Sequence, residues 1–218
     1  MEKRDATNSG HQPRSTRHEI HALTSEQIKH LIEAAQEQSL KALLTVAITT
    51  GLRRGELLGL RWKDLDVQDE ILHVCRRVSC FGKIEATGTA RTIALPKIAL
   101  HALKEHQRCQ EETRMKAGET WHDLGLVFPN EIGQYFDPSK LWQQSHALFV
   151  DAGFPHMRFH DLRRSTVALL LGMGVNVTVV QAILGFRQSR LTIKTLTPVS
   201  LSMQKDAMKK WDGLFSES

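Results

Sequence analysis

One tyrosine, Tyr135, and three cysteines are all that the 218 residues hold of those two side chains. Cys75, Cys80 and Cys109 are odd in number and share no framework spacing, which argues against a disulfide-stapled secreted fold and suits a reducing cytoplasm. No apolar run approaches the roughly 20 residues that a membrane-crossing helix needs, so no membrane association is expected. The polar start Met1–Arg17 lacks the apolar stretch of a secretory leader, and none is expected there. Internal repeats and low-complexity tracts are missing as well, which leaves a globular domain rather than a repeat array. Charge of one sign barely prevails. Lys and Arg number 29 against 24 Asp and Glu, a net +5 that suits a polyanionic partner but is shared by many proteins without one.

What the chain does have is 41% hydrophobic content, enough for one sizeable core. Residues 1–20 are polar and aperiodic and read as a flexible basic arm. Thr24 with Gln27 forms a capping-box start, and Ile28, Leu31, Ile32 and Ala35 are the apolar stripe of a first helix. Leu40–Thr50 reads as a largely buried helix stopped by Gly51, and Gly55–Leu60 as a short third one. Ile71, His73 and Arg76–Val78 lie in one strand-like run and Arg91–Pro96 in another. A Gly-containing loop from Phe81 to Thr89 separates them, so a small antiparallel sheet is expected. Lys97–Lys116 is a long amphipathic helix with Ile98, Ala102 and Leu103 inward, ended by Gly118. Leu126–Phe128 and Gln134–Phe136 flank a turn and predict a second hairpin. Pro138 opens a helix running to Gly153. His160–Met173, Thr178–Leu184 and Leu201–Phe215 complete a mostly helical C-terminal half. The expected class is α+β, mainly helical.

Three segments stand out in order and spacing: Thr49-Thr50-Gly51-Leu52-Arg53-Arg54-Gly55-Glu56-Leu57, then His160-Asp161-Leu162-Arg163-Arg164-Ser165, then Leu184-Gly185. Singly each has an ordinary explanation, since Arg53-Arg54 would serve as a solvated helix end and His160-Asp161 as an N-terminal cap. Together they resemble the active-site boxes of the tyrosine recombinases, the phage-integrase family. The resemblance implies that family's catalytic domain over residues 21–218, double-stranded DNA as partner, and no cofactor. It makes Arg53, His160 and Arg163 the phosphate-binding positions, with Arg164 completing the second box. A reaction at a phosphodiester builds charge on the nonbridging oxygens, and a planar guanidinium that cannot lose its proton forks onto two of them without a metal. His160 lies three residues before Arg163, on the same face of a helix. Glu56, three after Arg53, is placed to hold that arginine by an ion pair.

The departures from the family pattern matter as much. After the Leu-Gly pair the family usually has His or Trp, which donates to the phosphate, whereas here Phe186 has no donor. Counting back from Arg91-Thr92-Ile93 puts the family's catalytic lysine at Glu85 or Ala86, with Lys83 the nearby substitute if the loop is shifted. The position of the nucleophilic tyrosine falls on Leu196, which cannot attack phosphorus. Tyr135 and Thr195 are the other candidate nucleophiles, and Thr197 also flanks the gap. The threonines would need a general base nearby.

Other features weigh less. The pair of helices ending at Leu184 has the outline of a helix-turn-helix, but its second helix is too apolar to read bases. His73, Cys75, Cys80, His101, His106 and Cys109 lie near one another in sequence without the tight spacing of a zinc site, so no metal is expected. The family's N-terminal clamping domain is not found, as in a fragment or a reduced form. The C-terminal segment with Leu201, Met208, Trp211, Leu214 and Phe215 is expected either to join recombinases into homo- or hetero-oligomers or to fold onto its own core. The expected function is an integrase-type DNA-binding domain unable to cleave. The alternatives are a working strand-transfer enzyme with another nucleophile and a protein-binding remnant.

Overall fold

Thr24 starts the first helix by the spacing that predicts it: its hydroxyl accepts from the Gln27 amide at 3.3 Å, and the Gln27 side chain accepts from the Thr24 amide at 2.9 Å. This helix, α1 (Ser25–Ala34), buries Ile28, Leu31 and Ile32. The chain is seen in a computed structural model that describes residues 22–79, 82–186 and 199–216. The arm expected over residues 1–20, and Thr195, Leu196 and Thr197, lie outside the described residues.

The centre of the core is α2 (Gln38–Thr50), every residue of which is buried from Ala42 onward. Its buried threonines do not waste their hydroxyls: Thr45 donates to Lys41 O at 2.8 Å and Thr49 to Thr45 O at 2.7 Å. Gly51 ends the helix at φ 62, and a Cβ there would stand 2.3 Å from Leu184 Cδ2, so both backbone and packing require glycine. The short α3 (Arg54–Leu58) follows. Strands β1 (Leu65–Asp66), β2 (Ile71–Val78) and β3 (Ile84–Ala94) form an antiparallel sheet in the order β1-β2-β3. β3 therefore reaches back through most of the expected loop, and the turn is closed by the Ser79 amide on Lys83 O at 2.7 Å. The register is uneven. Val74 pairs with Arg91 and Arg76 with Ala86, so Thr87, Gly88, Thr89 and Ala90 bulge from β3 where β2 has only Cys75.

On α4 (Lys97–Ala117) the inward residues are Ala99, Leu100, Leu103 and His106, while Ile98 and Ala102 are only partly buried. His106 is a core residue: Nε2 lies 2.6 Å from Val127 O, and the ring stacks on Phe128 at 5.0 Å between centroids. Burial lowers its basicity, against the weaker pull of Val127 O and Glu37. The unfolded chain therefore takes up this proton first, and stability falls as pH drops below the ordinary imidazole value of 6.5. Chemical denaturation at steps from about pH 7 to 5 is expected to show that decline, and His106→Gln to flatten it. An unchanged slope in the variant would assign the decline to other groups.

The second hairpin is reduced to one bridge and its turn. Leu126 bridges Arg61 instead, Val127 N donates to Leu60 O at 2.9 Å, and a single bridge from Pro129 to Tyr135 closes a loop around the Asn130 side chain. The first of the two runs is thus taken by the backbone after α3. Asp137 caps α5 (Pro138–Asp151), and α6 (Phe159–Gly172), α7 (Val177–Leu184) and α8 (Leu201–Ser216) follow. Val179, Val180, Ile183 and Leu184 of α7 are buried, so that helix is packed inside rather than presented to a groove. α8 folds onto its own chain, burying Ala207, Met208 and Trp211 against β3, α4 and α7. Among the described residues no helix is long and apolar enough to cross a membrane. In layers, α2 is flanked by α1, α4 and α6, and the sheet carries α3 on β2 and α7 and α8 on β3.

Candidate functional site

Arg53 caps α3, and Glu56 on its first turn reaches back to it. The Arg53 amide donates to Glu56 Oε2 at 3.0 Å, and Arg53 Nη1 donates to Glu56 Oε1 at 3.0 Å. Glu56 is only 1% exposed, and an unpaired carboxylate so placed would cost several kcal/mol. Its second partner comes from the sheet. Arg91 donates Nη1 to Oε1 at 3.1 Å and Nη2 to Oε2 at 3.2 Å, a fork meeting a fork. The bulge adds two hydroxyls: Thr89 Oγ1 is 3.3 Å and Thr87 Oγ1 3.4 Å from Glu56 Oε1, and Arg53 Nη1 also donates to Thr89 at 3.3 Å. Burial alone would raise the Glu56 carboxyl. The hydrogen bond and charge of Arg91, then those of Arg53, outweigh it and hold the group below the ordinary carboxylate range. Glu56 is thus a fixed anion and a poor general base for either threonine.

Arg163, on α6, completes the cluster. Its Nη1 donates to Gly51 O and its Nη2 to Leu184 O at 2.8 Å, carbonyls at the ends of α2 and α7, where a cation is favoured. The Phe186 ring covers its guanidinium, 4.8 Å from Cζ to ring centroid. Burial, then the positive charge of Arg53, bring Arg163 down to about 10, with Glu56 opposing and Arg91 adding to the fall. It stays cationic at neutral pH. Three guanidiniums around one carboxylate leave the site with a positive excess. A guanidinium has five donors, so Arg163 keeps some beyond its two carbonyls. Arg53, with 43% of its side chain exposed, has Nε and Nη2 without partners among the described residues.

The remaining candidates are arranged around this cluster or away from it. His160 is exposed on the first turn of α6 without a hydrogen-bond partner among the described residues, and Arg164 is exposed 3.6 Å from Asp161. Lys83 is exposed at the β2–β3 turn. Glu85 pairs with Arg77 at 2.7 Å, and Ala86 lies opposite Arg76. Tyr135 takes a hydrogen bond on its hydroxyl from Arg61 Nη2 at 3.3 Å and lines a cleft with Trp121, Phe136 and His106 that Arg53, Glu56, Arg91 and Arg163 do not line. Sequence reasoning singled out neither Arg91 nor the hydroxyls of Thr87 and Thr89. The available signal was period-two alternation: Arg91 shares a strand face with Ile93, which is fully buried, so the arginine also points inward.

The sequence model described as the phage integrase family matches residues 21–198. The chain belongs to that family. Among similar proteins, a XerC-like tyrosine recombinase of Caldanaerobacter subterraneus subsp. tengcongensis is 32% identical over 215 residues, covering 90% of this chain and 55% of the relative. The ICEBs1 integrase of Bacillus subtilis is 29% identical, covering 91% of this chain and 56% of its own. The chain thus spans about half the length of the curated relatives it matches. In fold it is similar to XerA recombinase, with a TM-score of 0.62 at 23% identity over 89% of this chain and 62% of that one. It is also similar to the Tn1549 transposon integrase solved in complex with circular intermediate DNA, with a TM-score of 0.64 at 18% identity over 87% and 64%. This chain is mainly helical around a small antiparallel sheet, the class expected from sequence.

Proposed function

We propose that this integrase-family chain binds double-stranded DNA in a site-specific recombination system, holds a phosphodiester with Arg53, His160 and Arg163, and does not cut it, because Leu196 stands at the nucleophile's place. The observation that carries the reading is the meeting of Arg53 and Arg163 in one cationic cluster. A phosphate needs such paired, permanently charged donors, and a purely structural ion pair does not need the surplus positive charge. The relatives support it, since they are integrases and recombinases and one similar fold was solved on DNA. Phe186 offers a ring face where the family has a donor, Ala86 has no amine, and Lys83 is the substitute closest in sequence. Arg164 adds an exposed charge beside the site.

A different nucleophile is less well supported. The Tyr135 hydroxyl is engaged by Arg61 outside the cluster. Assembly through the C-terminal helix would use the face of α8 that its own core leaves exposed, since Ala207, Met208 and Trp211 are buried.

Duplex DNA is expected to bind with an affinity that falls steeply with salt, because phosphate contacts release counterions. Arg53→Ala should weaken binding and make the log–log salt slope shallower by about one. A nicked suicide substrate should leave no covalent adduct. An adduct would refute the inactivity, and salt-independent or absent binding would refute the DNA reading.

A further inference from the structure

Arg91 lies outside the boxes that carry the family likeness, yet each donor group of its guanidinium is engaged. Nε donates to Ile183 O at 2.8 Å, Nη1 to Glu56 Oε1 and Thr89 O at 3.1 Å each, and Nη2 to Glu56 Oε2 at 3.2 Å. Its side chain is 9% exposed, and four of its five N–H groups are committed within the protein, with one left on Nη2, so its main engagement is with the protein around the site. It also stands against Gly185, where φ is +66 and a Cβ would meet Arg91 Cδ, Nε and Cζ at 2.9 Å. The Leu-Gly pair thus carries glycine where the backbone turns left-handed directly against this guanidinium.

We propose that Arg91 is a positioning residue of the phosphate site, acting on Arg53 through Glu56 and on residue 186 through the end of α7. The first route is electrostatic. Both Glu56 oxygens pull on Arg53, one through its amide and one through Nη1. With Arg91 balancing that carboxylate, the outer edge of Arg53 is left for a phosphate; without it, Arg53 alone neutralises a buried anion and is drawn inward. The second route is geometric. Arg91 and Arg163 hold the consecutive carbonyls Ile183 O and Leu184 O, and Phe186 follows two residues later. This fixes the place from which residue 186 meets Arg163.

The first route rests on the DNA-binding reading, and the second does not, so the test has two readouts on the 218-residue chain. One is a salt titration of binding to a duplex oligonucleotide of arbitrary sequence. Arg91→Met is expected to lose about tenfold in affinity with a slope shallower by about one, as for loss of one phosphate contact. Adding Glu56→Gln removes the charge that competes for Arg53 and should restore both. Wild-type binding by Arg91→Met would overturn the route. So would a double variant with the shallower slope, because Arg91 would then act directly. If Arg91→Met does not fold, the double variant decides by the same criterion. The other readout is amide exchange at Gly185 and Phe186, whose N–H groups bond Ala182 O and Gln181 O. Arg91→Lys keeps the charge but loses the fork, and faster exchange at both amides supports the second route; unchanged exchange overturns it. Should the wild type show no salt-dependent DNA binding, the DNA reading falls with the first route, and exchange alone decides the second.

Discussion

Glu56→Ala is expected to destabilise the chain by about 3–5 kcal/mol, the usual range when one partner of a buried ion pair is removed and the other is left behind. The loss is set by Arg91. Arg53 can turn its exposed guanidinium to water, so its share is small. Arg91 cannot: its side chain is 9% exposed, Nε is committed to Ile183 O, and the two donors that faced Glu56 lose their acceptor. The vacated volume next to Thr87 and Thr89 also becomes a cavity unless water enters it, and entry would move the result toward the lower figure. Chemical denaturation at neutral pH measures the loss directly, and a fall in Tm of roughly 6–20 °C should accompany it for a chain of this size. A change below about 1 kcal/mol would mean that Arg91 is solvated in the variant and the pair is not a structural unit. The acid limb gives a second check. Because the folded-state carboxyl is held below its ordinary range, its contribution is present above that range and is lost as pH falls through the folded value. Glu56→Ala should therefore flatten the acid side of the stability profile.

Trp211→Ala should cost a similar amount, about 3–5 kcal/mol. Trp211 is fully buried on α8, packed with Met208 and 6.4 Å from the Phe215 ring. One term works against the loss: the indole Nε1 is buried without a hydrogen-bond partner among the described residues, and removing it relieves about 1–3 kcal/mol of desolvation. The lower end of the range is therefore the better expectation. Polar ties keep α8 in place when the packing weakens, among them those from the Ala94 amide to Gln204 Oε1 at 3.3 Å and from the Ile98 amide to Asp212 Oδ1 at 3.1 Å. Thermal unfolding followed by circular dichroism, with limited proteolysis near α8, reads the outcome. A Tm within a degree or two of wild type would show that α8 contributes little to the core.

The helices were legible because their signals are local. The Thr24–Gln27 box, the stop at Gly51 and the proline after Asp137 each act within one turn of chain, and each appears in the structure where its spacing put it. The Arg53–Glu56 pair was legible for the same reason. Elements that depend on partners far along the chain were not. Leu126–Phe128 had the composition of a hairpin strand, but Leu126 pairs with the segment after α3, and a run of chain cannot advertise which of two distant backbones will pair with it. His106 looked like an ordinary position on an amphipathic helix, and only the fold sets it against the Phe128 ring and the Val127 carbonyl, where burial lowers its basicity against the pull of that carbonyl.

By itself, then, the sequence determined the family, the mainly helical class and the pairing of Arg53 with Glu56, because these rest on ordered boxes and on periods of two and three-to-four residues. Tertiary structure alone decided that Arg91 closes the ion pair from 35 residues away and holds α7 from 92 away. It also decided that Arg163 ties the ends of two helices together beneath Phe186, and that α8 folds onto its own core. The physical reason is burial. A charge in water needs no partner, so its spacing says little; once the fold removes the water, each charge must be met by whatever the chain brings alongside.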